Sequence, residues 1–196
     1  MDRIVNLTCP GCGARVSIGQ KECEYCQKPI IISTFNSVYT MPLSEVNKYA
    51  EFYRLGLAGN PYNQDLNNAI AMCYLKLKLY DKAFIAFEHA IKNNFDNSET
   101  YFYAAISLLG GKKAFLHQRD NIDKIEEYIM AAIRIEPKGI YYYFHSYIKY
   151  DYYSRKHFKT NPTYQEALLM AIESGLSDYD IEQFYSILSV PRPDCL

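Results

Sequence analysis

The segment CPGCGARVSIGQKECEYC, residues 9–26, places four of the chain's six cysteines in two C-x-x-C pairs, Cys9/Cys12 and Cys23/Cys26. Two residues between thiolates allow one tight turn to direct both sulfurs at a single ion. Two such turns joined by a short hairpin complete a tetrahedron. Gly11 and Gly13 supply the backbone freedom that the first turn needs. A stretch this short cannot bury enough apolar surface to fold alone. A structural zinc, contributing roughly 10–16 kcal/mol in comparable peptides, makes up the difference. The expectation is therefore one structural Zn2+ held by Cys9, Cys12, Cys23 and Cys26. A redox role would need a βαβ context that the sequence lacks. Catalytic zinc would need an open coordination position, and four cysteines fill every one.

The same residues carry a resemblance. C-P-x-C-G followed by C-x-x-C, with ten residues between Cys12 and Cys23, is similar to the short bacterial zinc-ribbon family over roughly residues 7–30, with Gln27 where that family has a second glycine. Zinc ribbons sometimes bind DNA. Here Arg3, Arg15, Lys21 and Lys28 face Asp2, Glu22 and Glu24, and four thiolates around Zn2+ add about two negative charges. That balance argues against phosphate binding as the ribbon's main task. No apolar run is long enough for a signal peptide or a membrane span, so the expected compartment is a reducing cytoplasm, where spaced cysteines mean metal rather than disulfides. The 20 tyrosines carry no functional weight by themselves, since nucleotide composition alone can enrich tyrosine.

The division expected is a zinc ribbon with its connecting hairpin over residues 1–40 and a helical domain over 41–196. KPIIISTFNSVYT, residues 28–40, reads as a strand pair finishing the ribbon. PLSEVNKYAEFYRLGLAGNP then reads as a helix with Ser44 as N-cap, ending at Gly59-Asn60-Pro61. Two helices follow over 64–94, the second with Ala83, Phe87 and Ala90 on one face. FEHAIKNNFDN, IMAAIRIEPKG and LLMAIESGLSD align on Ala90, Ala132 and Ala171, with spacings of 42 (90 to 132) and 39 (132 to 171) residues. These units resemble the tetratricopeptide repeat, whose period is 34 residues, carrying insertions. The resemblance covers about 44–176 and implies a mainly α, solenoid-like array. The excess falls in GGKKAFLHQRD and SRKHFKTNP, each between the two helices of a unit. Asn161-Pro162 reads as the start of the next helix. Ser177 with Asp180 opens a final helix, expected to close the end of the array.

The family resemblance implies a groove lined by the first helix of each unit, here Asn68, Met72, Lys76, Phe102, Ile106, Tyr142 and Lys149, taking another protein or a peptide. The alternative reading makes most of the aromatics core, and for the tyrosines of 141–153 that is preferred. The lysine, asparagine and arginine clamp of chaperone-tail binders is not assembled. Both insertions should leave the same edge, bringing Lys112, Lys113, Arg119, Arg155, Lys156 and Lys159 together on a protein of net charge -1. Such an edge meets an acidic protein surface or a phosphate backbone, unless it is simply two solvated loops. His89, His117, His145 and His157 show no ligand spacing, and no nucleophile or phosphate-loop motif is present. The sequence thus reads as a non-enzymatic adaptor or accessory subunit, with nucleic-acid association second and no membrane partner.

Overall fold

The computed structural model describes residues 7–17, 19–92 and 95–196. It divides into two compact units, Met1–Phe95 and Asp96–Leu196. Among the described residues the protein is mainly helical, and no helix is long and apolar enough to cross a membrane.

The first unit opens with two short strands, β1 (Leu7–Thr8) and β2 (Arg15–Val16), paired antiparallel with Leu7 opposite Val16. Residues 28–40 do not form the expected strand pair. Pro29 makes one isolated bridge with Glu22, and Phe35–Tyr39 is a short helix, α1. The reason lies in α2 (Leu43–Gly59), whose tyrosines replace a second strand. The Tyr49 hydroxyl donates to the Pro29 carbonyl at 3.0 Å. The Tyr53 hydroxyl donates to the Ile30 carbonyl at 3.1 Å and accepts from the Ile32 N–H at 2.9 Å. Buried backbone groups must be paired, and two side chains four residues apart on one helix face complete the pairing. Helix α2 begins two residues earlier than expected, with Pro42 rather than Ser44 at the N-cap.

Helices α3 (Gln64–Lys76) and α4 (Tyr80–Ile91) pack on one another. Asn63 caps α3, its side chain accepting from the Leu66 N–H at 3.0 Å. Ala83, Phe87 and Ala90 are all buried, as their shared face requires. Asn93 and Asn94, assigned by the sequence to this helix, lie outside the described residues.

In the second unit α5 (Ser98–Leu109) pairs with α6 (Arg119–Ile135), and α7 (Gly139–Ile148) with α8 (Tyr164–Glu173). Helix α6 buries Ile122, Ile125, Ile129, Ala132 and Ile133, one apolar stripe along an otherwise charged helix. Ala132 and Ala171 are fully buried, so small side chains sit where neighbouring helices approach. Thr163, not Asn161-Pro162, caps α8, with Glu166 closing a capping box. The run after α7 widens into a π-helical turn at Lys149–Tyr153. That turn lets the consecutive Tyr152 and Tyr153 both bury, each 4% exposed, which a regular 3.6-residue period would oppose. Tyr141, Tyr143 and Tyr147 are core as well.

The last helix, α9 (Asp178–Leu188), has the expected Ser177–Asp180 capping box. Its position differs from an end cap. The Phe184 ring lies 5.0 Å from Phe144 and 5.9 Å from Tyr143 on α7, and 6.4 Å from Phe102 on α5. Helix α9 therefore packs on both α5 and α7 through Phe184.

Gly139 marks a close backbone approach in this unit. A Cβ there would meet the Leu176 nitrogen at 2.5 Å and the Ala171 carbonyl oxygen at 2.7 Å. Backbone cannot yield as a side chain can, so Gly139→Ala is expected to cost about 3 kcal/mol. Urea unfolding of the variant measures it, and an unchanged midpoint would show that α7 and α8 can separate freely.

Candidate functional site

The two C-x-x-C turns are built alike. In the first, the Cys9 N–H donates to the Ala14 carbonyl (2.7 Å) and the Gly13 N–H to the Cys9 carbonyl (2.9 Å). In the second, Cys23 N–H donates to Lys28 (2.9 Å) and Gln27 N–H to Cys23 (2.8 Å). Each turn closes on a residue with positive φ, Gly13 at 78° and Gln27 at 58°. Gln27 thus occupies the glycine conformation despite its Cβ. Gln27→Gly is expected to add about 1 kcal/mol of stability by removing that steric penalty, read as slower metal loss to a chelator.

The turns bring Cys9 and Cys26 sulfurs to 3.6 Å, and Cys12 and Cys23 sulfurs to 3.6 Å. All four sulfurs lie within 4.8 Å of one another. A tetrahedral ion with metal–sulfur bonds of about 2.3 Å needs edges of about 3.8 Å, so the four cysteines can hold a metal ion with little movement. Gly11 permits the approach, since a Cβ there would sit 3.3 Å from the Cys26 sulfur and 2.8 Å from Lys28 Cδ. Backbone N–H groups of Cys26 and Tyr25 lower the Cys23 thiol to about 7. The Lys28 N–H also favours the Cys26 thiolate, but burial and the sulfurs of Cys9, Cys12 and Cys23 outweigh it and push Cys26 up to about 12. Four sulfurs this close cannot all ionise without a cation among them.

The centre is anchored to α2. Glu45 pairs with Lys28 at the second turn, and Tyr49 and Tyr53 continue the same helix face onto residues 29–32. Glu45, Tyr49 and Tyr53 are spaced by four, a periodicity visible in the sequence, but their target was not. An open groove of about 650 Å³ lies between the first turn and α2, bordered by Pro10, Gly11, Lys48, Glu51 and Leu55. Asp2 and Arg3, counted in the ribbon's charge, lie outside the described residues.

The residues expected to line a helical groove are placed differently. Met72 and Ile106 are fully buried and Phe102 is 4% exposed. These three are core, because their helices bury apolar side chains on more than one face. Lys149 is 9% exposed, its Nζ 2.6 Å from Glu126 Oε1. Lys76 donates to the Tyr39 carbonyl at 2.6 Å. Asn68 and Tyr142 are half-buried.

Lys149 belongs to a buried polar cluster that the sequence did not announce. Glu126 Oε1 also meets His145 Nε2 at 3.2 Å, and the Tyr153 hydroxyl donates to Glu126 Oε2. Burial alone would raise Glu126, yet hydrogen bonds from His145, Lys149 and Tyr153 hold its carboxyl at about 2.

The two insertions meet within the second unit. Residues 110–118 contain a 3-10 turn, Ala114–Leu116, and residues 154–163 another, Ser154–Lys156. Arg155 lies 4.5 Å and Lys156 Nζ 5.0 Å from the Phe115 ring centroid. Lys112, Lys113, Arg119, Arg155 and Lys159 are exposed and Lys156 half-buried. The link is Asp151, only 2% exposed, which accepts from Phe115 N–H at 2.9 Å and from Arg155 Nη1 at 2.5 Å.

Fold and site define a mainly helical protein with a four-cysteine, metal-competent centre near residue 20. No protein-family model, no curated protein and no solved structure matches the chain.

Proposed function

We propose that the chain is a non-enzymatic adaptor of the cytoplasm, a structural zinc ribbon followed by tetratricopeptide-like helix pairs, whose task is to hold another protein. The observation that carries this reading is the closure of the metal centre: four thiolates within 4.8 Å occupy every position of a tetrahedral ion and leave none for a substrate. Four thiolates in tetrahedral array favour zinc over harder ions. Buried Ala90, Ala132 and Ala171 at matching places in α4, α6 and α8 support the repeat reading. The lysines of the insertions favour a second reading, an accessory factor on nucleic acid.

Purification from native lysate at low and high salt, with and without nuclease, tests the two. Metal content is measured on the same material. One zinc per chain and a stoichiometric protein that survives nuclease are expected. Nucleic acid that is lost at high salt, with no protein partner, would replace the adaptor reading by the second. An iron–sulfur chromophore would overturn the zinc assignment.

A further inference from the structure

The two insertions build a surface, and its composition selects among anionic partners. Phe158 is 51% and Leu116 69% exposed, an aromatic and an aliphatic side chain held out to solvent beside the cations. Between them runs an alternating stack. The Phe158 ring lies 6.4 Å from Tyr152, Lys156 Nζ sits 3.8 Å over Tyr152 and 5.0 Å from Phe115, and Arg155 covers the other contact of Phe115. These contacts hold the patch in one shape, and buried Asp151 fastens its two halves.

Both arginines of the edge are already committed to carboxylates. Arg155 binds Asp151, and Arg119 binds Asp123 at 2.7 Å while lying 5.0 Å over the Tyr153 ring. One guanidinium nitrogen of each arginine is therefore engaged within the fold. Lys112, Lys113 and Lys159 are exposed on the same two insertions as Leu116 and Phe158. Lysines on the same two insertions as exposed Leu116 and Phe158 match carboxylates interspersed with apolar residues, because a phosphate backbone offers no apolar group to cover the two side chains.

We propose that this edge is a docking site for an acidic polypeptide segment studded with apolar side chains. The proposal rests on the adaptor reading and names the chemistry of its partner. Carboxylates meet the lysines, and apolar residues cover Leu116 and Phe158.

The probe is a fluorescein-labelled peptide of alternating glutamate and leucine or phenylalanine, followed by anisotropy with the full chain. An all-glutamate peptide and a single-stranded oligonucleotide of matched charge are the comparisons. The mixed peptide is expected to bind at least tenfold tighter than either. Lys112→Glu with Lys113→Glu, and separately Leu116→Ser with Phe158→Ser, are each expected to weaken it about tenfold or more. Absence of mixed-peptide binding overturns the proposal, as does equal or tighter oligonucleotide binding or indifference to either pair of substitutions. The wild-type comparison decides alone if a variant fails to fold. A protein partner that co-purifies equally with wild type and the lysine-reversed variant would overturn this edge while leaving the adaptor reading standing.

Discussion

Stripping the metal with a strong chelator is expected to unfold residues 7–32 while the helices of 96–196 keep their protection from hydrogen exchange. The two turns have little structure of their own beyond their anchorage to α2: β1 and β2 are two residues each, and Cys12 is exposed. The binding energy of a structural zinc, on the order of 10 kcal/mol, is then folding energy for this segment. Cys23→Ser should reproduce the effect without chelator, since Cys23 is 1% exposed and its sulfur meets that of Cys12 at 3.6 Å. The consequences should extend into α2. Tyr49 and Tyr53 lose the carbonyls of Pro29 and Ile30 as hydrogen-bond partners, so tyrosine fluorescence and exchange along α2 should change with metal release. Exchange protection in 7–32 that survives complete metal removal would show that α2, not the ion, holds the segment.

Glu126→Gln is expected to cost about 3 kcal/mol at neutral pH, because it leaves Lys149 buried without its counter-charge. The same carboxylate gives a pH signature. Its folded pKa, about 2, lies below the ordinary value of 4.5. A depressed carboxyl contributes its stability fully above the unfolded value and loses it as pH falls from about 4.5 toward 2. The difference in urea midpoint between wild type and Glu126→Gln should therefore be constant above pH 6 and shrink steadily through that acid window. A difference that stays constant down to pH 2.5 would show that Glu126 does not carry its charge in the folded protein.

Helix placement was legible where local chemistry decides it. Asn63 and Ser177 cap helices that the sequence predicts. It failed where a local signal met a long-range partner. Residues 28–40 have strand-like composition, yet tyrosine hydroxyls from 20 or more positions away take the backbone groups a strand would need. The π-helical turn at Lys149–Tyr153 has no local signature, because several faces of that run are aromatic and only packing chooses among them. The groove-lining set followed family geometry, and burial of Met72, Phe102 and Ile106 removes those three from any surface.

The metal centre is a property of the sequence. Two C-x-x-C pairs ten residues apart need only their own turns to converge, and the sulfurs meet at 3.6 Å. The two insertions were also marked by length and charge. Their joining was not, because Asp151 reads as one more acid in an aromatic run until the π turn carries it inward to Phe115 and Arg155. Spacing within one turn follows from covalent geometry and is written in the chain. Which distant carboxylate, tyrosine or phenylalanine fills a space depends on how the helices pack, and only the tertiary structure decides that.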